Sequence, residues 1–249
     1  MPAFVVRFFT WLNDAYGLNF SVFTDAYDGQ RFLLGLWTTI ELSVVCIVFS
    51  VLLGMAGAWL IGGPSRLGRA VARVYVQAFR NTPPLVQLAF FYFAIGGLLP
   101  QIGDGAGGRE PIVSGFGWAV ISFSLLAGAF NVEIFRAGIE AVPGEMVEAA
   151  ESLGYGRFQL YRYVLAPLAL RICMPALTNN LVNLVKTTTL AYAIAVPELL
   201  YATSQIWSEV LNVREMMYVL LAVYIALVAV LVWLMERWER ALRLPGFVA

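Results

Sequence analysis

No charged residue interrupts the chain from Leu42 to Ser65, Asn81 to Gly103, Pro111 to Val132, or Met216 to Met235. Each stretch is as long as a helix that crosses the roughly 30 Å hydrocarbon layer, which takes about 20 residues. A fifth apolar segment starts near Pro167 and runs past Leu190, interrupted only by Lys186. In hydrocarbon every backbone polar group must be satisfied internally, so segments of this kind fold as helices. Apolar residues make up 60% of the chain and charged residues 13%, against roughly 45–50% and 25% in soluble domains. The expected fold is therefore an all-α integral membrane protein of five transmembrane helices. It divides into an N-terminal interfacial segment (1–30), a membrane domain (31–240) with a long loop at about 140–167, and a tail (241–249).

The arginines orient it. Arg66, Arg69 and Arg73 follow the first span, Arg136, Arg157, Arg162 and Arg171 surround the long loop, and Arg237, Arg240 and Arg243 follow the last span. With the N-terminus outside, all of these fall on one side, leaving Arg7, Arg31, Arg109 and Arg214 opposite. The positive-inside rule makes the loop and the tail cytoplasmic. Glu198, Glu209 and Glu215 then belong to the outer segment, where such charges are expected to be solvated or to meet a binding protein. The apolar stretch Phe4 to Leu12 carries Arg7 and no small-residue cleavage site follows it, so it reads as an interfacial helix and not a signal peptide. Zero net charge gives no reason to expect a nucleic-acid partner.

Several chemistries are disfavoured by residue type. The chain has no histidine and two isolated cysteines, Cys46 and Cys173, so it offers no histidine triad and argues against zinc or a disulfide. Its only lysine, Lys186, follows Val185, so no P-loop is present. Glu133 with Ser122 or Ser124 could suggest a membrane hydrolase, but no base partner is evident. No catalytic residue and no metal site is assigned. A proton-driven carrier is the other rival, and it could use Glu133.

The loop itself reads as a short helix. Pro143 suits a helix start, Glu145 and Glu148 suit the positive end of the dipole, and Gly154 can stop it. Met146, Ala149, Ala150 and Leu153 then share a face, opposite Glu145, Glu148 and Ser152. Within the second span, Arg80-Asn81-Thr82-Pro83-Pro84 breaks the helix, since paired prolines remove two donors and Asn or Thr can cap the freed ends. Such a break lines a water-filled path or is a plain kink. Gly54 and Ala58, one turn apart, suit close helix packing.

Depth separates the buried charges. At about 1.5 Å per residue, Glu133 lies roughly 5 Å inward from Arg136, Arg80 roughly 10 Å from Arg73, and Lys186 roughly 22 Å from Arg171. Arg80 and Glu133 are thus expected to form a structural or gating pair. Asn179, Asn183 and Lys186 make a polar stripe on one helix face. This stripe, with Asn81, Thr82, Gln87, Thr187 and Thr188, is the expected substrate path, Lys186 meeting a carboxylate. The alternative is a hydrogen-bonded contact with a second subunit.

Glu148-Ala149-Ala150, Gly154 and Pro167 stand at the spacing of the EAA loop and resemble that loop of ABC-importer permeases, with Val164 and Ala166 in place of its Ile and Leu. Arg80-Asn81-Thr82-Pro83, with Val86-Gln87, is similar to a segment of the polar amino-acid branch, Pro84 standing where Leu is usual. Glu133-Ile134-Phe135-Arg136-Ala137-Gly138-Ile139 and Asn183-Leu184-Val185-Lys186-Thr187 also resemble that branch, although Thr187 replaces its Asp or Asn. The resemblance implies a type I importer permease in a bacterial inner membrane, with a cytoplasmic coupling helix in which Glu148, Ala149, Ala150, Leu153 and Gly154 meet an ATPase. It implies an ABC ATPase homodimer carrying ATP and Mg, with no cofactor on this chain. A second permease, identical or paralogous, and a periplasmic binding protein complete the set. The implied cargo is a polar or acidic amino acid, moved by alternating access, with opine-like solutes as the alternative.

Overall fold

The computed structural model describes residues 2–103 and 109–242, so the end of the tail, with Arg243, lies outside the described residues. Its helices are α1 (Ala3–Tyr16), α2 (Ser21–Thr24), α3 (Ala26–Gly62), α4 (Arg66–Arg80), α5 (Pro84–Ala89), α6 (Gly115–Glu140), α7 (Gly144–Ser152), α8 (Arg157–Leu160), α9 (Ala166–Thr187), α10 (Leu199–Val210) and α11 (Val213–Leu242). Wider and tighter turns extend α5 through Phe90–Ile95 and Gly96–Leu98, join α8 to α9 at Tyr161–Leu165, and prolong α9 over Thr188–Ile194. Two short strands, β1 (Gln101–Gly103) and β2 (Arg109–Pro111), pair antiparallel with Ile102 opposite Glu110.

Among the described residues four helices are long and apolar enough to cross a bilayer: Ala26–Gly62, Gly115–Glu140, Arg157–Ile194 and Val213–Ala241. The fifth apolar segment forms the shorter helix Pro84–Leu98. It starts later than the stretch from Asn81 suggests, because Pro83 and Pro84 cannot donate to a preceding turn and Pro84 takes the first helical position. The break therefore lies before the apolar helix and not within it. The first long helix begins at Ala26, inside the segment read as interfacial. At 37 residues it extends about 55 Å, well beyond the hydrocarbon layer.

The chain forms two compact units. One gathers the residues up to Val45 with Leu88–Val120 and Val185–Ala229. Its core packs Val22, Phe32, Leu199, Ile206, Met216, Val219 and Leu220. Asn212 Nδ2 donates to the Asn19 carbonyl and to Ser21 Oγ, tying the start of the chain to the turn before α11. The other unit gathers Cys46–Gln87, Ile121–Leu184 and the residues from Val230 onward, around Ala58, Phe135, Cys173, Met174, Leu177, Leu181 and Met235. Here α3 lies hard against α6: a Cβ on Gly54 would stand 2.4 Å from Asn131 Cβ. Tyr75 on α4 donates to the Leu125 carbonyl at 2.6 Å. Large apolar side chains such as Trp37, Trp59, Leu221, Ile225 and Trp233 are exposed, as suits helices whose solvent is lipid.

Candidate functional site

The inter-span helix α7 begins after Pro143 and ends where Gly154 takes φ +82°, a left-handed conformation that costs glycine little. Glu145 sits in its first turn. Met146, Ala149 and Leu153 are exposed, Leu153 at 77%, and so are Glu145 and Glu148. Ala150 is buried and turns inward with half-buried Val147, so it belongs to the face that α7 packs on its own chain. The outward face of α7 is thus Met146, Ala149 and Leu153, narrower than the expected set. Gly156, Gln159 and the following turn support it, Gln159 Oε1 accepting from the Gly156 amide at 2.9 Å.

The break before α5 is held by a cluster of hydrogen bonds centred on Gln87 Nε2, while Gln87 Oε1 is buried without a partner among the described residues. Gln87 is buried and its Nε2 donates to the carbonyls of Phe79 and Thr82 and to Thr82 Oγ1. Thr82 Oγ1 donates to the Ala78 carbonyl, and Asn81 Nδ2 to Gln77 Oε1. Gln87 thus replaces the donors that the prolines lack; expected on a substrate path, it is a staple of the kink. Asn81 and Thr82 are exposed beside it.

Arg80 and Glu133 do not pair. Glu133 Oε2 accepts from Arg136 at 2.7 Å, and Arg136 also reaches Glu140 at 2.7 Å. Arg136 is one turn away on the same helix and prevails over a partner on another element. The Arg80 guanidinium lies 5.1 Å over the Phe130 ring. Arg80 and Glu133 nevertheless line one groove of about 480 Å³ with Ala137, Gly138, Ala141 and Ala176.

On α9, Asn179, Asn183 and Lys186 are exposed, as the stripe requires, and Thr187 is half-buried. Thr188 is fully buried and donates to the Val185 carbonyl at 2.7 Å, so it supports the turn and presents nothing to a solute. The neighbouring Asn180 escapes sequence reasoning. Its Nδ2 donates to Asn131 Oδ1 at 2.8 Å and to the Ala127 carbonyl, binding α9 to α6. Two adjacent asparagines on an apolar helix are the only sequence signal, and nothing in them says which faces inward.

Glu198, expected among the outer, solvated charges, is instead fully buried. It caps α10: Oε2 accepts from the Leu200 amide and Oε1 from the Tyr201 amide. The Tyr224 hydroxyl donates to it at 3.2 Å, and the Thr39 hydroxyl accepts from the adjacent Leu199 amide. Burial pushes its carboxyl up to about 7, against the pull of the two amides. Glu209, by contrast, is exposed and is held below its usual range by its bonds to Arg31, at 2.7 and 3.0 Å.

Long apolar helices, a short exposed helix between two of them and a polar face inside the apolar band define a multi-pass membrane transport subunit. The chain belongs to the family described as the binding-protein-dependent transport system inner membrane component, whose family model matches residues 50–244. The glutamate transport system permease protein GluC of Corynebacterium efficiens is 32% identical, over 79% of this chain and 85% of that protein. The glutamate/aspartate import permease protein GltJ of Escherichia coli is 30% identical, over 85% and 87%. The nopaline transport system permease protein NocM of Agrobacterium fabrum is 29% identical, over 84% and 87%. A solved amino acid ABC transporter with histidines aligns at TM-score 0.73 and 28% identity, covering 86% of this chain and 94% of that one. The MetNI methionine ABC transporter aligns at TM-score 0.68 and 19% identity, which supports the fold alone. As a member of this family the chain is a translocation component of a multi-pass inner-membrane transporter.

Proposed function

We propose that the chain is the permease subunit of an ATP-driven importer for polar or acidic amino acids. The observation that carries this is the outward face of α7, with Met146, Ala149 and Leu153 flanked by Glu145 and Glu148, in a member of a binding-protein-dependent family. An apolar patch with a polar rim, standing in a loop at the arginine-rich end of the spans, suits a partner protein. That partner is an ABC ATPase dimer, which carries the ATP and Mg. Its closure moves Glu148 to Gly154 and opens the membrane cavity outward to a loaded periplasmic binding protein; hydrolysis resets it.

The exposed polar face of α9 needs cover in the membrane. Asn179, Asn183 and Lys186 facing lipid would cost several kcal/mol, so this face lines a water-filled path shared with a second permease. There the Lys186 ammonium meets the substrate carboxylate. Relatives named for glutamate and for glutamate/aspartate support an acidic or polar amino acid. The nopaline-named relative supports an opine as the second reading. Reconstitution tests the proposal: with its P-loop partner and binding protein in liposomes, the chain gives ATP-dependent uptake of glutamate or glutamine. Uptake that proceeds without the ATPase rejects it in favour of an ion-coupled carrier.

A further inference from the structure

The groove that holds Arg80 and Glu133 plays no part in the coupling face or the polar stripe. Its volume, about 480 Å³, lies within the range of small-molecule sites, about 300–1,000 Å³. Ala137, Gly138, Ala141 and Ala176 give it a floor of small residues, with Ile134, Ile172 and Cys173 beside them. Two opposite charges line this space without meeting each other. Both Arg136 bonds to Glu133 reach Oε2, and neither reaches Oε1. The Arg80 guanidinium carbon lies 5.1 Å from the centroid of the Phe130 ring, and no carboxylate is bonded to it among the described residues. A guanidinium beside an aromatic ring and without a carboxylate partner keeps its fork of N–H donors available to a carboxylate.

The geometry points to a site for a free α-amino acid in this groove, its carboxylate on Arg80 and its ammonium on Glu133. The inference rests on the importer reading and adds a second place where the cargo binds, at the end of the spans that the arginines put in the cytoplasm. Ala137 and Ala141 belong to the last turns before Pro143, where α7 begins. An occupant touching them acts on the root of the coupling helix, so amino acid accumulated inside the cell bears on the subunit that imports it. By linkage, a ligand that prefers one position of α7 shifts its equilibrium toward that position.

An anion and a primary ammonium a few atoms apart also occur in phosphatidylethanolamine headgroups, so the test separates the two sources. Ala137→Cys, with Cys46→Ala and Cys173→Ala, is placed in the assembled transporter in phosphatidylglycerol nanodiscs and reacted with a small maleimide. L-Glutamine and L-glutamate are each added, and at about ten times its Kd a ligand that covers the groove slows modification about tenfold. N-acetyl-L-glutamine and L-glutamine α-amide, each lacking one charge, are expected to leave the rate unchanged. Arg80→Gln or Glu133→Gln is expected to abolish protection. Equal rates with and without amino acid, protection that survives both substitutions, or slowing that follows added phosphatidylethanolamine overturns the inference. Ala141→Cys is a second reporter on the same floor. Tritiated L-glutamine binding to the Lys186→Met complex, expected to be lost when Arg80→Gln is added, tests the site without any reporter cysteine. Uptake with the binding protein but no protection defeats this site alone, whereas the absence of both defeats the importer reading.

Discussion

Glu198→Gln tests whether a buried acid governs the stability of the first unit. In the folded chain burial raises the Glu198 carboxyl from an ordinary 4.5 to about 7. Each tenfold change in proton affinity corresponds to about 1.4 kcal/mol, so the two states differ by about 3 kcal/mol in how they hold this proton. The sign follows from linkage: the folded state binds the proton more tightly. The stabilisation is therefore complete below the unfolded value and is lost as pH rises through the folded one. Glutamine has no proton to release, and its amide oxygen can still accept from the Leu200 or Tyr201 amide that now bonds Glu198. Thermal unfolding of the purified subunit in detergent, at about pH 5 and about pH 8, reads the effect. Wild type is expected to lose melting temperature toward the higher pH, and Glu198→Gln to lose markedly less. Equal declines in both proteins would refute the assignment of this titration to Glu198.

Three further outcomes follow from the packing and the polar face. Gly54→Val forces a side chain into the 2.4 Å between an added Cβ and Asn131 Cβ, costing about 1–3 kcal/mol by overpacking; an unchanged melting temperature would contradict the close approach of α3 and α6. Tyr75→Phe removes the 2.6 Å bond to the Leu125 carbonyl and is expected to cost about 1 kcal/mol, read by the same melt and refuted by no change. Lys186→Met is expected to abolish substrate-stimulated ATP hydrolysis while the complex still assembles; unchanged transport would reject its role at the carboxylate.

Much of this arrangement is legible in the sequence, and the misses share a cause. The charge-free runs reappear as helices because hydrocarbon leaves the backbone no other way to satisfy itself. The limits of α7 are readable because Pro143 and Gly154 act through local backbone geometry. Gly54 and Ala58 point to a close helix contact because only small side chains allow one, and Gly54 does meet Asn131. What fails is direction around a helix axis and choice of partner. Counting residues gives the height of Arg80 and Glu133 but not that Arg136, one turn away, takes the carboxylate. Helical periodicity groups Ala149 with Ala150, yet the packing of α7 turns Ala150 inward. Gln87, Thr188 and Glu198 carry ordinary polar side chains whose roles arise from distant or irregular backbone: the Phe79 carbonyl, the Val185 carbonyl and the amides that start α10. Polarity marks such residues as unusual in an apolar chain without saying whether they meet a solute or a peptide bond.

Photo-crosslinking from Leu153 is the most direct measurement. A benzophenone attached at Leu153→Cys, in a background with Cys46 and Cys173 replaced by alanine, is irradiated in native membranes alongside the same probe at Trp37→Cys. Both positions are exposed, Leu153 at 77% and Trp37 at 64%, but only the first stands on the helix proposed to be gripped. The expected product is a crosslink from Leu153 to a P-loop ATPase, absent from Trp37. A Leu153 probe that captures only lipid or its own chain, in membranes that still import amino acid, would contradict the account.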